Sequence, residues 1–455
     1  MDMLHGPIWN KLPRFALPIA ATAILGQLFN AADIAVVGNF TGDLRTVSVA
    51  AVSATSSIIG LVVNLFIGIS LGANVTIAQA VGRDDQQTVG KTVHTAIVMA
   101  VLGGILAAGL GELAAAPLLR ALRTPADVFP LSLLYLRIYF AGLPVILLYN
   151  FEGAIFRSVG KTRLPLIVLM FSGVLNVILN LFFVAVLHRT VDGVAIATVI
   201  SNAASAVILY RCLRRTDKTV HVEPGQLRID KGSMKRILRI GFPAGIQSAV
   251  FSVANIIIQG AINSLGTVVM AASGAAFNIE IITYDILNSF SQACTTFVGQ
   301  NYGAGEIGRC RKTLALCLGE GIAALAATIA LILPFGKPLL SIFNNDPQVV
   351  DVGYIRLVTL MTAHLFSLCY EVLSGYLRGF GISLVPAALT IAGVCGIRLS
   401  WIYFVFPQYP TFQTIMTAFP ISLAATALLM LIAVLCCRPS RKFAPAHHQA
   451  ASASG

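Results

Sequence analysis

The sequence predicts an all-α integral membrane protein with twelve transmembrane helices in two parallel six-helix repeats. Three observations predict this fold. Of the 455 residues, 57% are hydrophobic and only 11% are charged, whereas soluble domains carry about 25% charged residues. The chain also contains twelve apolar stretches near or above the roughly 18 residues that a helix needs to cross a bilayer. Finally, the two halves of the chain share polar residues at one constant offset.

The apolar stretches are continuous rather than alternating, which indicates helices and not the strands of an outer-membrane barrel. In chain order their cores are 15–37, 47–73, 93–116, 139–156, 164–187, 191–210, 240–265, 268–298, 314–333, 354–376, 384–405 and 415–436. The longest polar connection, 211–239, lies near the middle of the chain. We therefore predict an N-terminal six-helix lobe over 1–212, a cytoplasmic linker over 213–235, a C-terminal six-helix lobe over 236–437 and a cytoplasmic tail over 438–455.

An internal repeat supports this division. A gap-free shift of 221 residues superposes polar, Gly and Pro residues of the first half on identical residues of the second: Gln79 on Gln300, Gly82 on Gly303, Arg157 on Arg378, Gly160 on Gly381 and Pro165 on Pro386. Chance matching of apolar helices would give Leu on Leu but would seldom align these residue types. Because each predicted half has an even number of spans, both copies enter the membrane from the same side, as in some secondary transporters with a site between the halves.

The formal net charge of +12 is compatible with nucleic-acid binding or with a membrane orientation signal, and the positions of the basic residues separate the two. If the N-terminus is cytoplasmic, 23 of the 31 Lys and Arg residues lie on the inner side. Seven, among them Arg356, lie on the outer side, and Arg398 lies within the eleventh span. We therefore expect a plasma (inner) membrane protein with both termini in the cytoplasm and no nucleic-acid partner.

Motifs argue against an ATP-driven pump and against an enzyme. Two Gly-Lys-Thr triplets, 90–92 and 160–162, come near the phosphate-binding loop, but its first Gly is replaced by Asp85 in one and Ile155 in the other. The string Gly-Ile-Ser-Leu-Gly at 68–72 matches the hydrolase nucleophile pattern but lies inside a predicted helix, where small residues spaced by four favour close helix packing. We expect no enzyme activity, no nucleotide and no cofactor beyond a coupling ion.

Several segments of both halves carry a family resemblance. They are Pro18, the run QLFNAAD at 27–33, residues 72–79, Asn176 with Asn180, residues 193–198 and 278–280, the run GQNYGAG at 299–305, and residues 371–379 and 393–401. In order and spacing they resemble the multidrug and toxic compound extrusion (MATE) family, in particular its DinF-like or MepA-like bacterial branch. The sister branch that exports norfloxacin typically has an acid in the seventh helix, and this chain has none between Gly241 and Leu265.

The resemblance implies a V-shaped pair of lobes that alternate access and exchange H⁺ or Na⁺ for small, often cationic and amphipathic organic compounds. We therefore predict a monomeric secondary active multidrug efflux transporter whose partners are these compounds and the lipid bilayer. One alternative is a lipid-linked saccharide flippase of the same superfamily, which would show several Arg residues facing a central cavity, whereas only Arg398 lies deep in a predicted span. Another is a membrane enzyme or channel, for which the sequence shows no supporting constellation.

Asp33 is the first candidate site residue, because a carboxylate among lipid-spanning residues is costly unless it has a task. Desolvation favours its neutral form, so it can take up a proton or Na⁺ and release it when its surroundings change. In the resembling family this position is the cation site of the N-terminal lobe, and its companions map onto Asn176, Asn180 and Thr198. Interhelical hydrogen bonding is the alternative for these three. Gln27 and Asn30 are auxiliary polar residues of the first helix.

The C-terminal half contains four further charged residues far from the ends of its predicted spans: Glu280, Asp285, Glu371 and Arg398. An unpaired Arg inside the membrane would be costly, so a buried ion pair of Arg398 with Glu280 or Glu371 is one hypothesis. A substrate-contacting or gating role for these residues is the other.

The coupling ion depends on position 180. Relatives in the resembling family commonly carry Asp where this chain has Asn180. Losing a carboxylate weakens the attraction for Na⁺, although Asp33, Asn176, Asn180 and Thr198 could still supply its oxygens. Carrying a proton requires only that the affinity of Asp33 changes between two environments. We therefore favour H⁺ over Na⁺. The sequence does not identify the substrate.

Overall fold

The computed structural model describes residues 1–122, 124–216 and 219–439. Within these residues all regular structure is helical. The helices are α1 Lys11–Phe40, α2 Arg45–Gly82, α3 Gln86–Ala121, α4 Phe129–Ala141, α5 Leu143–Ser158, α6 Arg163–Leu181, α7 Val191–Arg215, α8 Lys231–Asn263, α9 Thr267–Gly303, α10 Ile307–Ile332, α11 Gly336–Ser341, α12 Pro347–Gly379, α13 Leu384–Val405 and α14 Phe412–Cys437. Wider π-helical turns follow α6 at Phe182–Val186 and lie within α13 at Ile391–Gly396 and Trp401–Val405.

In the described part of the chain, eleven helices are long and apolar enough to cross a membrane. The helices α4 and α5 meet the same requirement only together, and they are bent by 52° at their break. Gly142 separates them, and Pro144 lies in the first turn of α5, where its missing N–H costs no helical hydrogen bond. Counting the bent pair as one span gives twelve, which confirms the predicted all-α membrane fold.

The internal repeat is visible in the helix ends. A shift of 221 residues carries the ends of α2 and α5, at Gly82 and Ser158, onto the ends of α9 and α12. The same shift carries the starts of α3 and α6 onto the starts of α10 and α13. The copies differ where α12 is continuous but its counterpart is broken at Gly142. The two six-helix repeats predicted from the sequence are thus confirmed.

Packing divides the chain into two compact units. The N-unit consists of Ala21–Val81 and Asp85–Gly245, and the C-unit consists of Met1–Ala20, Gly82–Asp84 and the chain from Ile246 onward. The predicted lobes over 1–212 and 236–437 follow the sequence repeat, whereas the units divide α1 and α8. The predicted limits of lobes and linker therefore stay a prediction, and the predicted tail lies outside the described residues from position 440 onward.

The N-terminal segment belongs to the C-unit. Met3 and Phe15 are fully buried there, and the edge of the Phe15 ring contacts Phe297 of α9 with a centroid distance of 5.5 Å. Arg309 of α10 donates hydrogen bonds of 3.1 Å to the carbonyl oxygens of Met3 and Gly6. These contacts join positions about 300 residues apart in sequence.

In the N-unit, glycines allow α2 to lie directly against the first part of α8. A Cβ on Gly68 would overlap the backbone of Gly245, and a Cβ on Gly72 would overlap the backbone at Gly241. Ser70, between the two glycines of α2, donates its hydroxyl proton to the carbonyl oxygen of Ile67 in its own helix. The string at 68–72 therefore serves helix packing, as the sequence predicted.

Side-chain caps determine where several helices begin. Asp230 accepts a 2.7 Å hydrogen bond from the backbone N–H of Ser233 at the start of α8, and the hydrogen bonds from Ser233 lower the pKa of the Asp230 carboxyl. Asp85 caps α3 by accepting from the N–H of Thr88 at 3.0 Å. Such caps satisfy N–H groups that have no partner within the helix.

Candidate functional site

The four residues predicted as a cation site come together in the N-unit around Asp33. The Asp33 side chain is buried on α1, with 6% of the residue exposed. Its Oδ1 accepts a 2.5 Å hydrogen bond from Nδ2 of Asn180, and its Oδ2 accepts a 3.4 Å hydrogen bond from the hydroxyl of Thr198. Among the described residues Asp33 forms no ion pair, so its charge is balanced only by neutral dipoles.

Further hydrogen bonds connect the companions of Asp33. Nδ2 of Asn180 also donates to Oδ1 of Asn176 at 3.2 Å, and Nδ2 of Asn176 donates to the Thr198 hydroxyl at 3.4 Å. The single Thr198 proton is shared between Asp33 and the carbonyl oxygen of Val194, which lies at 2.9 Å. Oδ1 of Asn180 is buried and has no hydrogen-bond partner in the part of the chain that the structure describes. The cluster therefore contains one amide oxygen with unused acceptor capacity.

Local helix geometry explains how α1 brings Asp33 to α6. Asn176 and Asn180 are four residues apart, so both lie on one face of α6. Gly173 lies one turn earlier on that face, and a Cβ there would overlap the ring of Phe29. Phe29 is itself one turn before Asp33 on α1. The absence of a side chain at Gly173 therefore lets the Phe29 ring approach α6, which positions Asp33 beside Asn180.

Two tyrosines of α4 were not identified from the sequence. The rings of Tyr135 and Tyr139 both pack in the apolar cluster that contains Ile34, the neighbour of Asp33 on α1. Their rings are stacked, with centroids 6.3 Å apart, and Tyr135 packs in an apolar cluster with Val36 and Val37. These amphipathic aromatic residues are four positions apart, and this spacing could have indicated from the sequence that they share one helix face.

The auxiliary residues Gln27 and Asn30 lie on α1 with exposed side chains. They are outside the hydrogen-bonded cluster of Asp33, and their role stays a prediction.

In the C-unit, Glu280 of α9 forms a buried ion pair with Arg356 of α12. Nε of Arg356 lies 3.0 Å from Oε2 of Glu280, and the two side chains are 7% and 12% exposed. Arg356 also donates to the hydroxyl of Ser273 at 2.6 Å. Arg356 lies in the third turn of α12, which begins at Pro347, and is buried there. Its helical spacing from buried Gly353 and Leu360 was the signal for this burial. Its placement on the outer side of the membrane stays a prediction.

Arg398 does not form the predicted ion pair with Glu280 or Glu371. Its Nε donates a 2.9 Å hydrogen bond to the hydroxyl of Ser422 on α14, and its guanidinium lies 4.2 Å from the centroid of the Phe419 ring. Glu280 already forms its ion pair with Arg356 of α12. A hydroxyl and an aromatic face therefore stabilise this buried cation, and its substrate-contacting or gating role stays a prediction.

The other predicted charges of the C-unit are also buried. Oε1 of Glu371 accepts a 3.3 Å hydrogen bond from the Tyr284 hydroxyl. Oδ2 of Asp285 is buried without a hydrogen-bond partner among the described residues. Arg378, in the last turn of α12, is only 7% exposed and donates to Oε1 of Gln247 at 2.7 Å. The sequence analysis singled out only Arg398 among the arginines of the C-terminal half, whereas the packing of α12 also buries Arg356 and Arg378.

One buried carboxylate of the N-unit was missed. Glu152 of α5 is fully buried, and neither of its carboxylate oxygens has a hydrogen-bond partner within the described ranges. It is the only acidic residue of the fourth apolar stretch, and this isolation was the signal that sequence reasoning could have used.

Comparisons with known proteins agree with this architecture. The family model described as MatE matches residues 18–182 and 243–404. The probable multidrug resistance protein YoeA of Bacillus subtilis (strain 168) is 26% identical over 437 residues, which cover 93% of this chain and 92% of that protein. The probable multidrug resistance protein NorM of Thermotoga maritima is 26% identical over 411 residues, with coverages of 88% and 86%.

A solved structure supports the same fold. It is described as the outward-facing conformation of a multidrug resistance MATE family transporter of the MOP superfamily. It superposes on this chain with a TM-score of 0.88 at 20% identity, over 97% of this chain and 98% of that one.

Proposed function

The chain belongs to the MatE family, whose members are transporters rather than enzymes, and we propose that it is a secondary active multidrug efflux transporter. It exchanges small, often cationic and amphipathic organic compounds for H⁺ or Na⁺ by alternating access. The family match confirms the resemblance found in the sequence. The substrate class is supported by relatives described as probable multidrug resistance proteins, which cover most of the chain.

The observation that carries this proposal is the buried carboxylate of Asp33, which has no basic partner among the described residues. An uncompensated charge at this depth is costly. Binding a cation or a proton removes that cost, and releasing it restores the cost. An element whose energy changes in this way with ion binding can couple an ion gradient to a conformational change.

The hydrogen bonds around Asn180 support H⁺ as the coupling ion. Its amide nitrogen lies between Oδ1 of Asp33 and Oδ1 of Asn176, at 2.5 and 3.2 Å. An N–H group therefore occupies the position where a cation would contact both oxygens. Half a turn of this amide would present its unused Oδ1 to a protonated Asp33. The same cluster can thus satisfy both protonation states of the carboxyl by turning one amide.

Charge distribution supports an inner-membrane location with both termini in the cytoplasm. Basic residues concentrate in the predicted linker over 213–235, which contains six of them: Arg214, Arg215, Lys218, Arg228, Lys231 and Lys235. Short loops rich in Lys and Arg stay on the cytoplasmic side. The transporter acts as a monomer, because one chain contains both copies of the repeat.

Reconstituted inverted vesicles test the proposal with a cationic dye as the substrate. We expect a pH gradient alone, in Na⁺-free buffer, to drive dye uptake. Asp33→Asn should abolish this uptake, because the amide keeps the shape but cannot exchange a proton. Asp192→Asn is the matched control, since Asp192 pairs with Arg189 at the start of α7, outside the cluster.

The possible results separate the parts of the proposal. If uptake requires Na⁺ at every imposed pH gradient, the coupling ion is Na⁺ and not H⁺. Full activity of Asp33→Asn would remove Asp33 from the mechanism. A failure of both gradients to move any of a panel of dyes would overturn multidrug export itself.

A further inference from the structure

A cavity of about 550 Å³ opens at one end of the C-unit, where α10 begins and α12 and α14 end. It is lined by Arg311 and Leu314 of α10, Tyr376 of α12, Leu435 of α14 and Arg438, the residue after α14. We propose that this cavity binds the headgroup of an anionic phospholipid, with its phosphate held between Arg311 and Arg438. This site is separate from the Asp33 cluster, and the proposal does not depend on the transported substrate.

The position of the two arginines along their helices matches the headgroup layer. Both α10 and α14 have 26 residues, and such a helix is about 39 Å long, at 1.5 Å per residue. The hydrocarbon core is about 30 Å thick. The terminal turns of both helices therefore extend beyond the hydrocarbon into the layer that contains lipid phosphates. Arg311 lies in the second turn of α10, and Arg438 directly follows the last turn of α14.

Neither guanidinium is engaged by an acid in the described part of the chain. The five ion pairs found there involve other bases. The one side-chain hydrogen bond of Arg438 within those residues runs from Nε to the carbonyl oxygen of Leu435 at 3.3 Å. Arg309, two residues before Arg311, is instead engaged by Asn301 and the N-terminal segment. A guanidinium binds a phosphate through two parallel N–H groups, and basic pockets between transmembrane helices bind anionic lipid headgroups.

An apolar strip leading to the cavity favours a lipid over a free phosphate. Leu428, Leu431 and Leu435 are 59%, 45% and 62% exposed. Their spacing of three and four residues places them on one face of α14. Leu435 also lines the cavity itself. An acyl chain can therefore lie along this strip while the phosphate of the same molecule reaches the two arginines.

Native mass spectrometry of the detergent-purified full chain tests the site with an equimolar mixture of phosphatidylglycerol and phosphatidylcholine. We expect the unmodified protein to retain phosphatidylglycerol preferentially. The double variant Arg311→Gln/Arg438→Gln should lower that preference about 30-fold, as expected for the loss of two basic contacts. The control Lys91→Gln/Lys312→Gln removes two exposed basic residues outside the cavity and should keep the preference. Unchanged thermal unfolding of both variants in phosphatidylcholine verifies that they are folded.

Two results would overturn the proposal. Equal losses in both double variants would show that lipid binding follows total charge rather than this cavity. Displacement of bound phosphatidylglycerol by millimolar inorganic phosphate would show that the two arginines bind a soluble anion and not a lipid. A loss confined to Arg311→Gln/Arg438→Gln, together with resistance to inorganic phosphate, would support the lipid site.

Discussion

At the scale of single residues, the buried charges follow two different arrangements. In the N-unit, Asp33 is surrounded by amides and a hydroxyl, without an ion pair among the described residues. In the C-unit, Glu280 and Arg356 neutralise one another, while Arg398 uses a hydroxyl and an aromatic ring. A carboxylate with only neutral partners can change its protonation state more readily than one held by an Arg. This difference makes Asp33 the better candidate for the coupling residue.

The coupling ion should change with the residue at position 180. Asn180→Asp removes the N–H group that lies between Oδ1 of Asp33 and Oδ1 of Asn176 and adds a second negative charge. We expect dye uptake by inverted vesicles to become dependent on Na⁺, because hard cations favour clusters of charged oxygens. The isosteric control is Asn202→Asp on α7, whose side chain donates to the carbonyl oxygen of Thr198 and not to Asp33. Na⁺ dependence that is equal in both variants would contradict this prediction.

The Glu280–Arg356 pair should behave as a stabilising unit. Arg356→Ala leaves a buried carboxylate without its partner, so we expect the protein to lose about 3–5 kcal/mol of stability. Adding Glu280→Gln should recover most of that loss, because no uncompensated charge remains. The measurement is thermal unfolding in detergent. Arg137→Ala is the control, since the ion pair of Arg137 with Glu112 is half exposed and should matter little. A double variant no more stable than Arg356→Ala would argue against this pairing.

At the scale of helices, glycines decide which elements approach closely. The α2–α8 contact depends on glycines of both helices, and the α1–α6 contact depends on Gly173 opposite the Phe29 ring. In a bilayer the lipid is as apolar as the helix surfaces, so close van der Waals packing has a larger share in helix association than in water. Positions with no Cβ therefore determine the arrangement that presents Asp33 to its partners.

A single methyl group should test the α2–α8 contact. We expect Gly68→Ala to destabilise the protein by about 1–3 kcal/mol, because its Cβ would overlap the backbone of Gly245. Gly60→Ala introduces the same methyl group on the same helix, but only the end of the Asn64 side chain lies within 4 Å. That control should be neutral or slightly stabilising, by about 0.5–1 kcal/mol. Thermal unfolding of both variants measures the difference, and equal effects would exclude close packing as the cause.

At the scale of the whole molecule, the compact units differ from the two halves of the sequence repeat. The first 20 residues pack in the C-unit, and α8 contributes its first part to the N-unit. Both α1 and α8 therefore belong to two units at once. This arrangement makes the N-terminal segment part of the C-unit core, through Met3, Leu12 and Phe15.

The contact between the N-terminus and α10 should contribute to the stability of the C-unit. Arg309→Ala removes hydrogen bonds to the carbonyl oxygens of Met3 and Gly6, so we expect a loss of about 1–3 kcal/mol. Tryptic cleavage after Lys11 should become faster, because the segment before it loses its attachment. Lys312→Ala, at an exposed position on the same helix, should leave the cleavage rate unchanged. A cleavage rate unaffected by Arg309→Ala would show that apolar packing alone holds the segment.

The sequence by itself determined the spans, their grouping into two repeats and the three companions of Asp33. Hydropathy and helical spacing are local properties, so they can be determined from the sequence without knowledge of the fold. The family resemblance supplied the pairing of Asp33 with α6 and α7. Only the tertiary structure decided that Arg356, rather than Arg398, pairs with Glu280 and that the N-terminal segment packs in the C-unit. These contacts depend on the rotation and depth of each helix against its neighbours, which one-dimensional periodicity does not specify. A shift of one turn along α12 would have replaced Arg356 by Val352 or Leu360, neither of which can pair with Glu280.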